Sequence, residues 1–199
     1  MFAWRRVAVS VGRFSVSCAA LCVVVSARPA HAGQVELRYR VALRGVAAAQ
    51  SAPFAAAVAT VYADPRGWSL GGKIVFDQVA RGGDFTVWLA AADEMRSFSD
   101  ECTASWSCRV GSAIVINQTR WLTGSPYWSG ALEEYRAMLI NHETGHFLGL
   151  NHAACAGAGL LAPVMMQQSK GPQPCKPNAW PLPAERAKVA KLLGLSGDP

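Results

Sequence analysis

Three of the chain's four histidines fall inside eleven consecutive residues, His142-Glu143-Thr144-Gly145-His146-Phe147-Leu148-Gly149-Leu150-Asn151-His152. The pattern is H-E-x-x-H-x-x-G-x-x-H. Side chains four apart on a helix project from one face, about one turn apart, so His142 and His146 can aim their rings at one ion. Gly149 lets the chain leave the helix in a sharp turn, because glycine tolerates the left-handed conformation that follows a last helical turn. His152 then swings back as a third donor from outside the helix. Three protein donors leave one position of a zinc ion open, as a catalytic zinc needs, whereas structural zinc sites are closed by four. Glu143 follows the first donor directly and points partly away from the ion. There it can hold a water, whose pKa zinc lowers toward neutrality, and accept its proton.

H-E-x-x-H alone arises by accident on helical surfaces. The extended form fixes five positions in a chain with only four histidines, which makes accident a poor explanation. A site that binds metal without catalysis is the remaining alternative. It leaves Glu143 without a use.

The chain has 199 residues, 51% hydrophobic and 16% charged, enough for one ordinary domain with a sizeable core. Its formal charge of +6 is inflated by residues 1–32, which hold Arg5, Arg6, Arg13 and Arg28 and no acid. Without those four, 15 basic residues face 13 acidic ones, a net +2. No basic stripe argues for nucleic acid or for an anionic membrane. Residues 1–32 read as a secretory signal peptide. Arg5, Arg6 and Arg13 form a positive end, Phe14 to Ser26 an apolar run, and Ala30-His31-Ala32 a small-x-small cleavage site before Gly33. Arg5-Arg6 is a weak twin-arginine hint. The apolar run is short for a membrane span. An uncleaved N-terminal anchor is the alternative, since Arg28 is unusual in a cleavage region.

Cys18 and Cys22 lie in that signal, leaving Cys102, Cys108, Cys155 and Cys175. An even number in an exported domain points to two disulfides, and four cysteines allow three pairings. Cys102–Cys108 with Cys155–Cys175 is preferred, because each pair brackets a loop between expected elements. A second zinc site made of cysteines is the alternative, and no C-x-x-C supports it.

Alternation of Val35, Leu37, Tyr39, Val41 and Leu43 with Glu36, Arg38 and Arg40 predicts a strand with one wet face. Ser51 to Tyr62 reads as a helix, with Ser51 as N-cap, Pro53 in the first turn, and Phe54, Val58 and Val61 on one stripe. Asp64-Pro65-Arg66-Gly67 ends it. Lys73 to Val79 and Asp84 to Ala90 predict two more strands. Cys108 to Val110 and Ala113 to Asn117 predict a hairpin about Gly111-Ser112, whose apolar second arm is interior to the sheet. A long helix follows, with Ser129 as N-cap, Glu133 and Glu134 at its positive end, and Leu132, Tyr135, Leu139, His142 and His146 at spacings of three and four. From Asn151 to Pro183 the chain is rich in Gly and Pro and irregular. Pro183 to Leu193 closes it as a helix with Val189, Leu192 and Leu193 on one face. The expected fold class is α+β: a single domain, 33–199, with a twisted mixed sheet of about four or five strands, a backing helix, the histidine helix and a closing helix.

The extended histidine motif resembles that of the metzincin metallopeptidases. Their further hallmark is a methionine in a tight turn beneath the zinc, downstream of the third histidine. Pro163-Val164-Met165-Met166 lies at a suitable distance, with Met165 favoured for that turn and Met166 the alternative; a methionine pair by itself is more often core. More narrowly, the chain resembles a family of exported actinobacterial proteins described as a domain of unknown function. Trp121-Leu122-Thr123-Gly124, Asn141-His142-Glu143, Cys155, Pro163 to Gln168, Cys175 and Pro177-Asn178-Ala179-Trp180-Pro181 carry that likeness. By the metzincin resemblance, substrate would lie extended along an edge strand at residues 105–112, and Gln167 to Trp180 would shape a pocket. No tyrosine follows the methionine turn, where some metzincins place one. Ala153 after the third histidine matches none of the best-known subfamilies. Gly33 leads at once into the first strand, which leaves no room for an inhibitory pro-segment.

The expectation is a secreted or envelope zinc metallopeptidase with one catalytic Zn2+ held by His142, His146 and His152, and Glu143 as general base. Its partner is a peptide or protein substrate, met by a monomer, with no stable membrane partner unless the signal stays attached. The alternatives are a non-catalytic zinc-binding envelope protein and a hydrolase of cell-wall amides. No other histidine is left in the chain after residue 32, so no Ser-His nucleophile pair competes with this reading.

Overall fold

The computed structural model of the protein describes residues 33–171 and 174–195. The expected signal segment, with Cys18, Cys22 and His31, lies outside the described residues. Five strands form one mixed sheet in the order β2-β1-β3-β5-β4. They are β1 (Val35–Arg44), β2 (Ile74–Gln78), β3 (Phe85–Ala90), β4 (Cys108–Val110) and β5 (Ala113–Asn117). β1 runs parallel to both β2 and β3, and β3 runs parallel to β5. Only β4 is antiparallel, paired with β5 across a two-residue turn in which Gly111 takes φ +53°. A short antiparallel strand at the edge of a parallel sheet needs only a hairpin, whereas each parallel neighbour needs a crossover. The apolar arm β5 is interior, between β3 and β4.

The period-two pattern sorts the side chains. Tyr39, Phe85, Val87, Leu89, Ile114 and Ile116 face the main core, against α1 (Ser51–Ala63) and α3 (Leu132–Phe147). On α1 the buried residues are Phe54, Val58, Val61 and Tyr62, the expected stripe plus one. A ring cluster of Tyr39, Tyr62, Phe76, Phe85 and Phe147 packs edge-on and stacked where β1, β2 and β3 meet the helices. On the opposite face a smaller cluster of Ala90, Met95, Cys102 and Val115 lies under the segment Ala92–Ser97. The Cys102–Cys108 disulfide fastens that segment's continuation to the edge strand. A third cluster forms around the Cys155–Cys175 disulfide, with Ala162 and Met166.

Several boundaries differ from the sequence reading. Ser51 is the first helical residue rather than the cap; Gln50 precedes it, and its side chain makes no capping bond. α3 starts at Leu132 after Ala131, not from Ser129, so its first turn is braced by Glu133 and Glu134 against the helix dipole instead of by a hydroxyl cap. A short helix α2 (Gln118–Thr123) follows β5 directly. Its N-cap is Asn117, which looked like the last residue of an apolar strand; the Asn117 side chain accepts from Arg120 N–H at 3.1 Å. On α4 (Pro183–Leu192) the inward residues are Val189 and Ala190, while Leu192 is half exposed. No helix among the described residues is long and apolar enough to cross a membrane.

The Cys155–Cys175 bridge closes a loop of sequence separation 20 that is short of regular structure. Loop-closure entropy then makes Cys155→Ser with Cys175→Ser cost about 3 kcal/mol of folding stability. Urea unfolding of the double variant is expected to show that loss. A midpoint equal to the wild type would mean that the loop is held by its other contacts.

Candidate metal centre

α3 is apolar where it crosses the sheet and polar where it leaves it. Its C-terminal half buries Asn141, His142, Glu143 and Thr144, four polar residues in a row. Burial of this kind costs free energy unless partners are supplied. Asn141 donates through Nδ2 to Ala179 O at 2.9 Å, and its backbone carbonyl accepts from Trp68 Nε1 at 2.9 Å, while its Oδ1 has no partner among the described residues. Thr144 pairs with the Tyr62 hydroxyl at 3.0 Å. These contacts fix the back of the helix, so that its front faces a cleft.

The helix ends as the glycine requires. Gly149 sits at φ +93°, its N–H bonds to His146 O, and Leu150 N–H reaches back to Gly145 O at 2.9 Å. This pair of bonds is the Schellman closure, and it reverses the chain so that His152 returns toward the helix. The three imidazoles converge: one donor atom from each of His142, His146 and His152 lies within 4.8 Å of the others. His146 Nε2 and His152 Nε2 are 3.1 Å apart. Two nitrogens each bound at 2.0–2.1 Å to one tetrahedral ion would stand about 3.3 Å apart.

The ring nitrogens are assigned by their partners. His142 Nδ1 lies 2.8 Å from Val164 O, and His146 Nδ1 lies 2.8 Å from Leu150 O. A carbonyl oxygen can only accept, so each Nδ1 carries the proton and each Nε2 is left with a free lone pair. Burial pushes His142 down to about 3, offset in part by the bond to Val164 O. His146 and His152 are also held below the ordinary imidazole value, first by burial. All three rings are therefore neutral at physiological pH, the form in which imidazole binds a metal. The donor set and its tautomers fit zinc: nitrogen ligands, three in number, with space in the cleft for a fourth, non-protein ligand.

Glu143 lines the same cleft as the three histidines. Burial pushes its carboxyl up to about 8, against the opposing pull of Lys170 and Arg109. The four cysteines do not join this cluster as ligands, being paired as Cys102–Cys108 and Cys155–Cys175.

The methionine pair divides between two tasks. Met166 N–H bonds to Pro163 O, closing a tight turn with Val164 and Met165 at its centre. Met165 points into the main core against Gly145 of the histidine helix; a Cβ at Gly145 would collide with its sulfur and lie 3.1 Å from the Trp68 ring. A mid-helix glycine costs about 1 kcal/mol relative to alanine, and this contact is its reason. Met166 packs instead on the Cys155–Cys175 disulfide. The turn also serves two of the histidines, one directly and one through its chain neighbour. Val164 O receives the His142 ring, and Met165 O receives Ala153 N–H beside His152.

Sequence reasoning missed what holds this turn. The Glu185 carboxylate, in the first turn of α4, accepts from Val164 N–H, Met165 N–H and Leu182 N–H at 3.0, 2.9 and 2.8 Å. The one available signal is an acid three residues after Leu182, near the start of the closing helix, and it names no partner. Glu185→Ala leaves three N–H groups without their partner, and charge-assisted bonds of this kind contribute about 1.5–3 kcal/mol. The variant is expected to unfold at lower denaturant and to bind zinc about tenfold more weakly, since it loosens the carbonyl that orients His142. Calorimetric zinc titration checks this, and unchanged affinity would separate the turn from the metal centre.

Glu143 gives a pH test on the metal-free protein. Its folded pKa is raised from about 4.5 to about 8. It therefore stabilises the fold fully below the unfolded value, and that contribution is lost as pH rises through the window between the two. Glu143→Gln is expected to flatten the decline in melting temperature between pH 6 and about 8 relative to the wild type. Parallel curves for the two proteins would contradict the burial of an ionisable carboxyl at this position.

Residues 12–174 match the family described as "Protein of unknown function (DUF3152)". Curated proteins give no significant match. Among solved structures, archaemetzincin from Methanopyrus kandleri is similar with a TM-score of 0.48 at 13% identity, over 83% of this chain and 98% of that one. The family match spans most of the chain and includes the histidine helix and the methionine turn, so the protein is a member of the DUF3152 family.

Proposed function

We propose that the protein is an exported zinc-dependent endopeptidase. The observation that carries this reading is the convergence of three neutral imidazoles, two with Nε2 freed by carbonyl partners, on a cleft that also contains a buried glutamate. His142, His146 and His152 would hold the ion. Zinc, when bound there, supplies Lewis acidity that acidifies a water and polarises a peptide carbonyl. Glu143 then accepts the proton of the attacking water and returns it to the leaving amine. In the metal-free protein burial pushes this carboxyl up to about 8, with Lys170 and Arg109 already opposing the rise; a dication bound by the neighbouring histidines would favour the ionised form that accepts a proton.

The edge strand supports a peptide as the substrate. Among the described residues β4 pairs only with β5. Val110 and Ala113 flank the two-residue turn, and Arg109 is the next residue along β4. In an antiparallel ladder hydrogen-bonded and open pairs alternate, so the Arg109 N–H and C=O point away from the sheet. An extended peptide can add there as a sixth strand, beside the histidines. Export is supported by the two disulfides, which persist in oxidising compartments, and by the signal-like residues 1–32.

Glu143→Ala is expected to retain about one zinc per chain and to lose about 10²–10⁴-fold in kcat/KM on a peptide library. Metal analysis and cleavage-product sequencing check it. Undiminished hydrolysis by the variant would remove Glu143 from the mechanism.

A further inference from the structure

The cleft beside the histidines has a volume of about 280 Å³ and carries more positive charge than the chemistry uses. Arg109, Arg120 and Lys170 line it, against Glu101 as the one acid other than Glu143. Among the described residues the ion pairs are Arg66 with Asp64 and Arg136 with Glu133, so none of the three cleft cations is neutralised by a carboxylate. Arg109 and Lys170 are exposed side chains without hydrogen-bond partners among the described residues, and both act electrostatically on Glu143 and His146. Arg120 acts on Tyr135, further along the cleft. It is held there by stacking on Trp106 at 4.9 Å and by bonds from Nε to Ser105 O and from Nη1 to Gly124 O. Its Nη2 remains available.

Single exposed cations are usually solvated and contribute little. Three that converge on one concave site, with a bound dication adding to them, create a field that favours anions and repels basic side chains. We propose that this cleft selects carboxylate-bearing peptides: Arg109 and Lys170 receive an acidic group next to the scissile bond, and Arg120 is a fixed cation further along the substrate. The inference rests on the peptidase reading for the identity of the substrate as a peptide. Charge selection itself is a property of the cleft and can be measured without hydrolysis.

The test uses zinc-loaded Glu143→Ala protein and fluorescent peptides of equal length with amidated C-termini, carrying Glu, Gln or Lys around the centre. A fourth peptide carries Gln and a free C-terminal carboxylate. The Glu peptide is expected to bind about tenfold more tightly than the Gln peptide, with the Lys peptide weaker still, and the difference should shrink at high salt. Arg109→Gln and Lys170→Gln are each expected to lose about threefold for the Glu peptide alone, and the R109E/K170E double variant to reverse the order. If the free-carboxylate Gln peptide matches the Glu peptide, the cleft receives a chain terminus as well as an acidic side chain; if it binds like the amidated Gln peptide, the cleft receives the side chain alone, and both outcomes support charge selection. Equal binding of Glu and Gln peptides, no binding of the Glu peptide, or a preference that survives R109E/K170E overturns the proposal. Absence of hydrolysis by the wild type would instead overturn the peptidase reading and leave the binding order as measured.

Discussion

A backbone carbonyl facing an imidazole Nδ1 decides two things at once: which nitrogen of the neutral ring carries the proton, and where the ring points; burial, acting against that bond, keeps the ring neutral. Val164 O does this for His142 and Leu150 O does it for His146, each at 2.8 Å. Without these acceptors the rings could rotate or switch tautomer, and the spacing of the motif alone would not aim two Nε2 atoms at one point. The two carbonyls come from different places. Leu150 belongs to the Schellman turn that ends the histidine helix, so His146 is oriented by the motif's own glycine. Val164 belongs to the methionine turn, so His142 depends on a distant segment being delivered to the right position.

That delivery explains much of the C-terminal third of the chain. The methionine turn lies between the histidine helix and α4. On one side Met165 packs against Gly145, and on the other Glu185 gathers the turn's N–H groups. A larger residue at Gly145 would push the turn away, and an uncharged one at Glu185 would release it. The irregular segment from Asn151 to Pro183 is held by the Cys155–Cys175 disulfide, by the Gln168 side chain, which donates to Asn178 O and accepts from Asn178 N–H, and by the Asn178 side chain, which donates to Ala162 O and Trp180 O. A loop-rich wall can therefore present a rigid carbonyl to one ring of the histidine cluster.

What was legible in the sequence was local. The i, i+4 histidines, the helix-ending Gly149 and the alternating strands β1 and β3 follow from periodicities of one element, and the structure keeps them. The α+β class and a mixed sheet of five strands follow from the order of those elements. Preference for loop-local cysteine pairs matches the disulfides formed, because each pair brackets a short excursion from regular structure. What was not legible depends on partners far apart in sequence. Asn117 belonged by pattern to an apolar strand, yet its side chain caps α2 and bonds Ala104 O. Ser51 and Ser129 had the right chemistry for caps, but tertiary packing set the helix starts elsewhere. Glu185 carries no pattern of its own in the sequence, and its grip on Val164 and Met165, 21 and 20 positions earlier, appears only in three dimensions. Arg109, Arg120 and Lys170 are spread over the hairpin, α2 and the loop after the methionine turn, so no stretch of sequence announces a basic cleft.

The central claim is that His142, His146 and His152 form an open three-nitrogen zinc site. Zinc-edge X-ray absorption on the zinc-loaded protein tests it most directly. The expected spectrum contains three imidazole nitrogens at about 2.0–2.1 Å and one light, non-protein ligand. Sulfur scattering at about 2.3 Å, or a fourth protein ligand closing the coordination sphere, would contradict it.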